Sequence, residues 1–507
     1  MFSREEAQLK PWQFLLALLC GGCMQFAFAP YDLNWLALIA LTLWVWLLLK
    51  TSHPFLISYA FGFGWFGFGS WWLADTFHTY GDLPYIIGLL CVALVGLVLG
   101  LLPALWGWLT IRIAGATTTH ASILLIFPAM AVLTEWLRGH LFTGLPWTSL
   151  GNLLLDTPAI GWVSIIGVYG AAALPALIAV SLATFADRRT TTAAVVSLAC
   201  IFTFVWFTPS LEIIKNSSVE SESKTAAIIQ GNIPQDVKWD SAFLEETMRR
   251  YDTLSTSAAD GSDIIVWPEA AVPFFLSRAP GWDRWLNNRV TIWNRPLLFG
   301  GLKITGDEDS DIPAAQNGLF LQMPEQGARS FTGKHHLVPF GEYVPAWLPW
   351  LKKLVPNIAD FQQADNGGVL KSGDTTFGSL ICYESIFPEE ARARVADGAE
   401  VLVVVTNDAW YGQSPAAWQH LQAARMRAVE NNRYVLRAAN TGVSAIIAPN
   451  GAITATAPWW TQAVVKGTYR LSSFTTVYQR WGDLPALIAA GLLLLIGVVW
   501  SMRRRER

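Results

Sequence analysis

The chain has 507 residues, a formal net charge of −3, 53% hydrophobic and 14% charged residues, and 26 tryptophans. It is long enough for two or more packed units, and a mean hydropathy of +0.36 excludes an ordinary soluble protein. No nucleic-acid partner is expected.

Apolar runs of about 20 residues, enough to cross the hydrocarbon layer, occupy most of the N-terminal part. They lie at 12–29, 33–50, 55–74, 85–111, 121–138, 159–186 and 191–209, with one more at 484–501. This pattern predicts about eight spanning helices, with a large polar insert between the last two. Arg4, Lys10, Lys50, Arg112, Arg188, Arg189, Arg503, Arg504, Arg505 and Arg507 alternate onto one side of these helices. The short loops 30–34 and 75–84 carry Asp32, Asp75 and Asp82 but no Lys or Arg. Both termini are therefore expected in the cytoplasm, and the insert on the other side, which in a bacterium is the periplasm.

Ala27-Phe-Ala29 looks like a signal-peptide cleavage site, but Pro30 follows it and further spans come at once, so the segment is read as retained. Cys20-Gly-Gly-Cys23 has redox spacing inside an apolar helix, where close helix packing is the better reading. The Gly62–Gly69 run is read in the same way.

The expected division is a membrane domain at 1–211, an insert at 212–480, and a last helix with a basic tail at 481–507. Polar residues 212–224 read as a linker leaving the bilayer. Short β-rich runs follow at 226–230, 263–267, 296–299, 318–322, 377–382, 401–405, 434–437 and 444–448, with helical periods at 241–257 and 416–432. Strands alternating with helices predict an α/β layered domain. Periodicity leaves the strand order open.

Cys382 is the one cysteine of the insert; Cys20, Cys23, Cys91 and Cys200 all lie in apolar segments. With no disulfide partner in its own domain it is either a core residue or a nucleophile. Asp263-Ile-Ile-Val-Trp-Pro-Glu269 reads as a buried strand ending in a carboxylate, with Pro268 stopping the ladder. Lys334 precedes a turn closed by Pro339 and Gly341, and Glu342 comes from the same loop. A carboxylate, an ammonium and a thiol form a complete set for acyl transfer: base, oxyanion-stabilising cation and nucleophile. The sulfur is expected in ionised form. His335 and His336 are alternative bases. No His/Cys/Asp spacing suggests a metal site, no phosphate-binding glycine loop is present, and no cofactor is expected.

Trp267-Pro-Glu269, Lys334 and Cys382-Tyr-Glu384, in that order, resemble the Glu-Lys-Cys triad of the nitrilase (carbon-nitrogen hydrolase) superfamily. Gln230–Trp239, Trp267–Pro273, His336–Glu342, Asn407–Gly412 and Gln419–Ala428 are similar to one branch, the apolipoprotein N-acyltransferases, over nearly the whole chain. The resemblance implies a multi-span helical membrane domain carrying an inserted α-β-β-α nitrilase-like sandwich. It implies Glu269 as base, Lys334 as transition-state stabiliser and Cys382 as nucleophile, with Glu342 and Glu384 in support and Trp239, Tyr383 and Trp410 as aromatics near the site.

The reaction so implied moves an acyl chain from the sn-1 ester of a phospholipid, such as phosphatidylethanolamine, to Cys382 as a thioester. It then passes to the N-terminal amine of a diacylglyceryl-cysteine apolipoprotein. Lifting either lipid out of the bilayer costs about 0.8 kcal/mol per CH₂, so the site is expected at the membrane surface. Residues 343–356 are read as a mobile interfacial arm anchored by Trp347, Trp350, Leu351 and Leu354. Arg138 is read either as a snorkelling side chain or as a ligand for a lipid phosphate. The rival readings are a membrane-tethered amidase that uses water, and a transporter with an accessory domain.

Overall fold

The computed structural model describes residues 9–115, 122–185, 190–209, 223–308, 310, 314–325, 329–346, 350, 360–365 and 367–505. The chain forms two compact units, one of Met1–Pro209 with Arg480–Arg507, the other of Ser210–Gln479.

The first unit is helical, and each of the eight expected segments contains an apolar helix. Tyr85–Ala114, Ile123–His140 and Leu484–Arg503 are long and apolar enough to cross a membrane, while Pro11–Ala27, Asn34–Lys50, Pro54–Phe68 and Thr191–Trp206 are shorter apolar helices. The segment expected as one helix at 159–186 is broken: Pro158–Ala171 and Ala173–Phe185 meet at 70°. Gly167 marks the break: its φ of +66° and ψ of 176° lie outside helical geometry, in a region open essentially to glycine alone. A second difference is at 75–84, read as a loop. Trp72–Gly81 is helical, with Asp75 in its first turn and an end at Asp82 in the left-handed conformation.

Aromatic rings fill the interior of this unit. Trp44 stacks on Phe61 at 4.3 Å between centroids and meets Trp106 edge-on at 4.8 Å. Helix Pro11–Cys23 comes close to Pro54–Phe63 because Gly21 has no side chain; a methyl there would overlap the main-chain oxygen of Phe61. The outside is apolar too. Ile86, Leu90, Leu94 and Val98, four residues apart on one helix face, are all exposed, the inverse of a soluble helix and the pattern of a membrane protein.

Arg138 fits neither of its two expected roles. It is buried on helix Ile123–His140, and all five of its N–H groups are engaged. Nε and one terminal nitrogen face Glu135 at 2.9 to 3.2 Å, and the other terminal nitrogen donates to the carbonyls of Leu145 at 2.6 Å and Trp147 at 2.7 Å. A guanidinium with five donors so filled has none left for a phosphate.

The second unit is built on two sheets. The strands are β1 (Ser223–Gln230), β2 (Ile264–Val266), β3 (Val272–Phe275), β4 (Leu297–Ile304), β5 (Ala315–Gln322), β6 (Arg329–Gly333), β7 (Val369–Ser372), β8 (Thr375–Ile381), β9 (Val401–Thr406), β10 (Val435–Ala439), β11 (Ala445–Ile447), β12 (Ile453–Thr456) and β13 (Ala463–Arg470). One sheet runs β13-β1-β2-β4-β5-β6, with β3 beside β4, and the other runs β12-β11-β10-β9-β8-β7.

Side-chain alternation explains how they stack. Val401, Val403 and Val405 of β9 pack in one core with Ala226 and Ile228 of β1, between the sheets. Leu402 and Val404 face the opposite way, onto helices Pro388–Ala396 and Ala416–Asn431. On the first sheet Ala227 and Ile229 pack against Met248 and Tyr251 of helix Leu244–Ala259 and Leu286 of helix Pro280–Trp293. Strands buried on both faces read as continuous apolar runs, and the result is the expected α-β-β-α sandwich.

Candidate active site

Parallel pairing aims the ends of several strands at one place. β2 and β4 are parallel, and β5 runs against both β4 and β6, so β2, β4 and β6 share a direction. Glu269 follows β2 and Lys334 follows β6 at the same sheet edge. In the other sheet β8 and β9 are parallel, which places Cys382 and Asn407 at neighbouring strand ends, the usual location of α/β sites.

Glu269 is buried and held by both carboxylate oxygens. Asn317 Nδ2 donates to Oε1 at 2.7 Å, and the Asn407 main-chain N–H donates to Oε2 at 2.9 Å. The turn beneath it is fixed by close contact. A methyl on Gly300 of β4 would lie 2.5 Å from Glu269 Cα and 2.6 Å from the Pro268 oxygen, so only glycine lets this strand pass.

Lys334 is buried, with its ammonium 2.7 Å from Glu342 Oε1. Glu342 is fixed in turn by the Val338 N–H, 2.8 Å from Oε2. Burial alone would lower the lysine's pKa, but the carboxylate of Glu342, then Cys382 and Glu269, raise it above its ordinary value. The ammonium keeps its proton.

Cys382 begins a short 3-10 turn at the end of β8, with φ +52°. A non-glycine residue in this region is uncommon, and here the turn is braced from behind. Glu384 accepts N–H groups from Ile381 at 2.7 Å, His335 at 2.7 Å and His336 at 3.1 Å, which ties the cysteine turn to the loop after Lys334. Burial pushes the Glu384 carboxyl up despite Arg394 and the Ile381 N–H. On the other side His420 Nε2 lies 2.9 Å from the Cys382 carbonyl, and its Nδ1 lies 2.9 Å from Asp408 Oδ1.

Burial, and after it the Glu269 carboxylate, raise the Cys382 thiol well above its usual range, while Lys334 draws it down without reversing the shift. Both raising influences favour the thiol over the thiolate at rest, against the expectation of an ionised sulfur.

Of the expected aromatics, Tyr383 is buried next to the cysteine, edge-on to Phe387 at 4.9 Å, while Trp239 and Trp410 stand half exposed. His335 and His336, the alternative bases, turn to other partners: His335 Nδ1 is 2.8 Å from Glu390, and His336 stacks on Phe387 at 3.8 Å. Trp350 is exposed; Trp347, Leu351 and Leu354 lie outside the described residues. Sequence reasoning missed Asn317, Asp408, His420 and Lys238, whose ammonium donates to the Glu269 main-chain oxygen at 3.0 Å. Three of these stand inside stretches that carried the family resemblance, and Asn317 has no signal in the sequence.

Two family models match the chain: carbon-nitrogen hydrolase over residues 225–479, and apolipoprotein N-acyltransferase N-terminal domain over residues 20–181. Relatives named apolipoprotein N-acyltransferase match it nearly end to end. That of Shewanella oneidensis is 34% identical over 99% of both chains, and that of Methylococcus capsulatus is 35% identical over 97% of this chain and 96% of its own. The chain belongs to the apolipoprotein N-acyltransferase family. In Geobacter metallireducens the relative is 34% identical over 93% of this chain and 92% of its own. An apolipoprotein N-acyltransferase of this kind thus combines a helical membrane unit with a carbon-nitrogen hydrolase sandwich.

Proposed function

We propose that this enzyme N-acylates lipoproteins through a thioester on Cys382, with Glu269 as general base and Lys334 as oxyanion-stabilising cation. The observation that carries the reading is the convergence of three turns: Asn407, at the strand end beside Cys382, donates to Glu269, Asn317 joins Glu269 to the Lys334 main chain, and Glu384 ties the cysteine turn to the His335 N–H. In the first stage Glu269 takes the Cys382 proton while the sulfur attacks the sn-1 ester carbonyl of a phospholipid, phosphatidylethanolamine being the expected donor. Lys334 faces the negative oxygen of the tetrahedral intermediate. The ester C–O bond breaks, and Glu269 returns the proton to the leaving lysophospholipid oxygen.

In the second stage the neutral N-terminal amine of a diacylglyceryl-cysteine attacks the thioester carbonyl. Glu269 removes a proton from the attacking nitrogen and delivers it to the departing sulfur, leaving an amide and the original thiol. Thiolate leaves readily, so both stages proceed without an added energy source.

The alternation of basic residues supports both termini in the cytoplasm, with the sandwich on the periplasmic side of a bacterial inner membrane. Residues 343–356, which include the exposed Trp350, are proposed to meet the lipid surface.

Intact-mass measurement after incubation with phosphatidylethanolamine vesicles tests this. Wild type should gain one acyl mass and lose it on addition of a diacylated lipopeptide, and Cys382→Ala should gain none. Release to water at the same rate with and without lipopeptide would replace the transferase with a hydrolase.

A further inference from the structure

Lys238 is a buried lysine for which the two-stage mechanism has no use. It sits between β1 and helix Leu244–Ala259, in the stretch Gln235-Asp-Val-Lys-Trp239. Its side chain is only 3% exposed. Among the described residues its ammonium has one hydrogen bond, to the main-chain oxygen of Glu269 at 3.0 Å, and no carboxylate in ion-pair contact. A buried cation without a counter-ion is costly, and a methionine would fill the same space at lower cost. A group retained against that penalty points to function.

We infer that Lys238 is a further positioning residue of the acyl-transfer centre, which fixes the main chain of Glu269 and adds a second positive charge beside Glu269 and Cys382. The inference rests on the reading of those two residues as base and nucleophile. Its geometry complements that of the other supports. Asn317 and Asn407 hold the carboxylate oxygens, Gly300 packs under the turn, and Lys238 holds the carbonyl of the same residue.

The two lysines of the centre differ in what faces them. Lys334 has the Glu342 carboxylate at 2.7 Å, a fixed counter-charge. The titratable groups acting on Lys238 are Glu269, from the turn after β2, and Cys382, from the turn after β8. Burial, the largest influence, brings Lys238 down to about 8, against the upward pull of Glu269 and then Cys382. Lys334 therefore stays charged through the neutral range, whereas Lys238 loses its proton just above it. The charge that Lys238 lends to the thiolate is switchable by pH.

Alkylation of Cys382 by iodoacetamide reads that charge without any acyl donor, so its outcome is separate from whether the acyl transfer itself is correctly assigned. Peptide mass mapping of the full-length protein distinguishes Cys382 from Cys20, Cys23, Cys91 and Cys200. In Lys238→Met the rate near neutral pH should fall about tenfold, one unit of thiol pKa. The gap to wild type should close as the pH passes about 8. Lys238→Arg, whose charge is permanent, should react like wild type near neutrality and outpace it in the alkaline range. A folded Lys238→Met protein alkylated at the wild-type rate throughout would overturn the inference. If Lys238→Met fails to fold, wild type and Lys238→Arg decide alone, and coincident pH profiles for those two would overturn it equally.

Discussion

Asn317 joins the two charged members of the centre: its side chain donates to Glu269 Oε1 at 2.7 Å, and its main-chain oxygen accepts the Lys334 N–H at 2.8 Å. One strand residue therefore ties the Glu269 carboxylate to the Lys334 main chain. Asn317→Ala leaves the main-chain bond but frees one carboxylate oxygen to turn. Thioester formation should slow roughly 10- to 100-fold, within the range of general-base catalysis, while the unfolding midpoint changes little. A single-turnover mass assay measures it, and an unchanged rate would remove Asn317 from the machinery.

Gly300→Ala tests placement rather than chemistry. The new methyl has main-chain atoms of Pro268 and Glu269 as neighbours, so the turn carrying the base has to shift. A displacement of about 1 Å is enough to cost about 100-fold in rate. The loss should appear in thioester formation, with Glu269 still present and the sandwich still folded by circular dichroism.

Glu342→Gln removes the counter-charge of Lys334. Burial pulls the lysine pKa down and Glu342 is the first influence holding it up, so the pKa should fall when that carboxylate is neutralised. A new alkaline limb should enter the pH profile of thioester formation, activity falling as pH rises through the lowered value. A profile that keeps the wild-type shape would show that Glu342 is not what holds the Lys334 proton.

Lys238→Met should stabilise the protein near neutrality. The folded pKa, lowered from 10.5 to about 8, means that the unfolded chain binds more protons between those values, so wild-type stability rises with pH across that window. Below it the penalty is about 3 kcal/mol at 1.36 kcal/mol per unit, offset by about 1 kcal/mol from the lost hydrogen bond. Thermal unfolding at neutral pH should show a higher midpoint in the variant, and the difference should shrink or reverse near pH 10.5.

Arg138 invites the opposite expectation from a lipid ligand. Arg138→Ala leaves Glu135 buried and unpaired, a change that costs about 3–5 kcal/mol, so the variant should accumulate poorly. Glu135→Gln combined with Arg138→Met should be milder. Normal accumulation of Arg138→Ala with weakened phospholipid affinity would restore the lipid-binding reading.

Much of this was legible in the sequence because two periodicities are strong. The valines of β9 read as a buried strand, and the apolar runs read as helices. The solitary thiol in the insert, together with the motifs around it, pointed to Glu269, Lys334 and Cys382. What escaped had a physical reason. β12 and β13 are largely polar or partly exposed edge strands, so their alternation is weak. Asn317 is one polar residue at the start of an apolar strand, and its value comes only from pairing β4 with β5 and β5 with β6. Lys238 lies in a mixed polar stretch with no apolar periodicity, and its burial depends on contacts about thirty residues away in the chain, at Glu269. The thiol's protonation depended on burial, which composition does not report.

The antiparallel pairing of β1 with β13, from Ser223 opposite Arg470 to Gln230 opposite Ala463, has a mechanical consequence. Strand β1 begins and strand β13 ends at the same end of one two-stranded ladder. Tension applied between them would peel that ladder open rung by rung rather than shear all its bonds at once. This is the weak direction of a β pair, and pulling through handles placed at Ser223 and Arg470 should find its first rupture there.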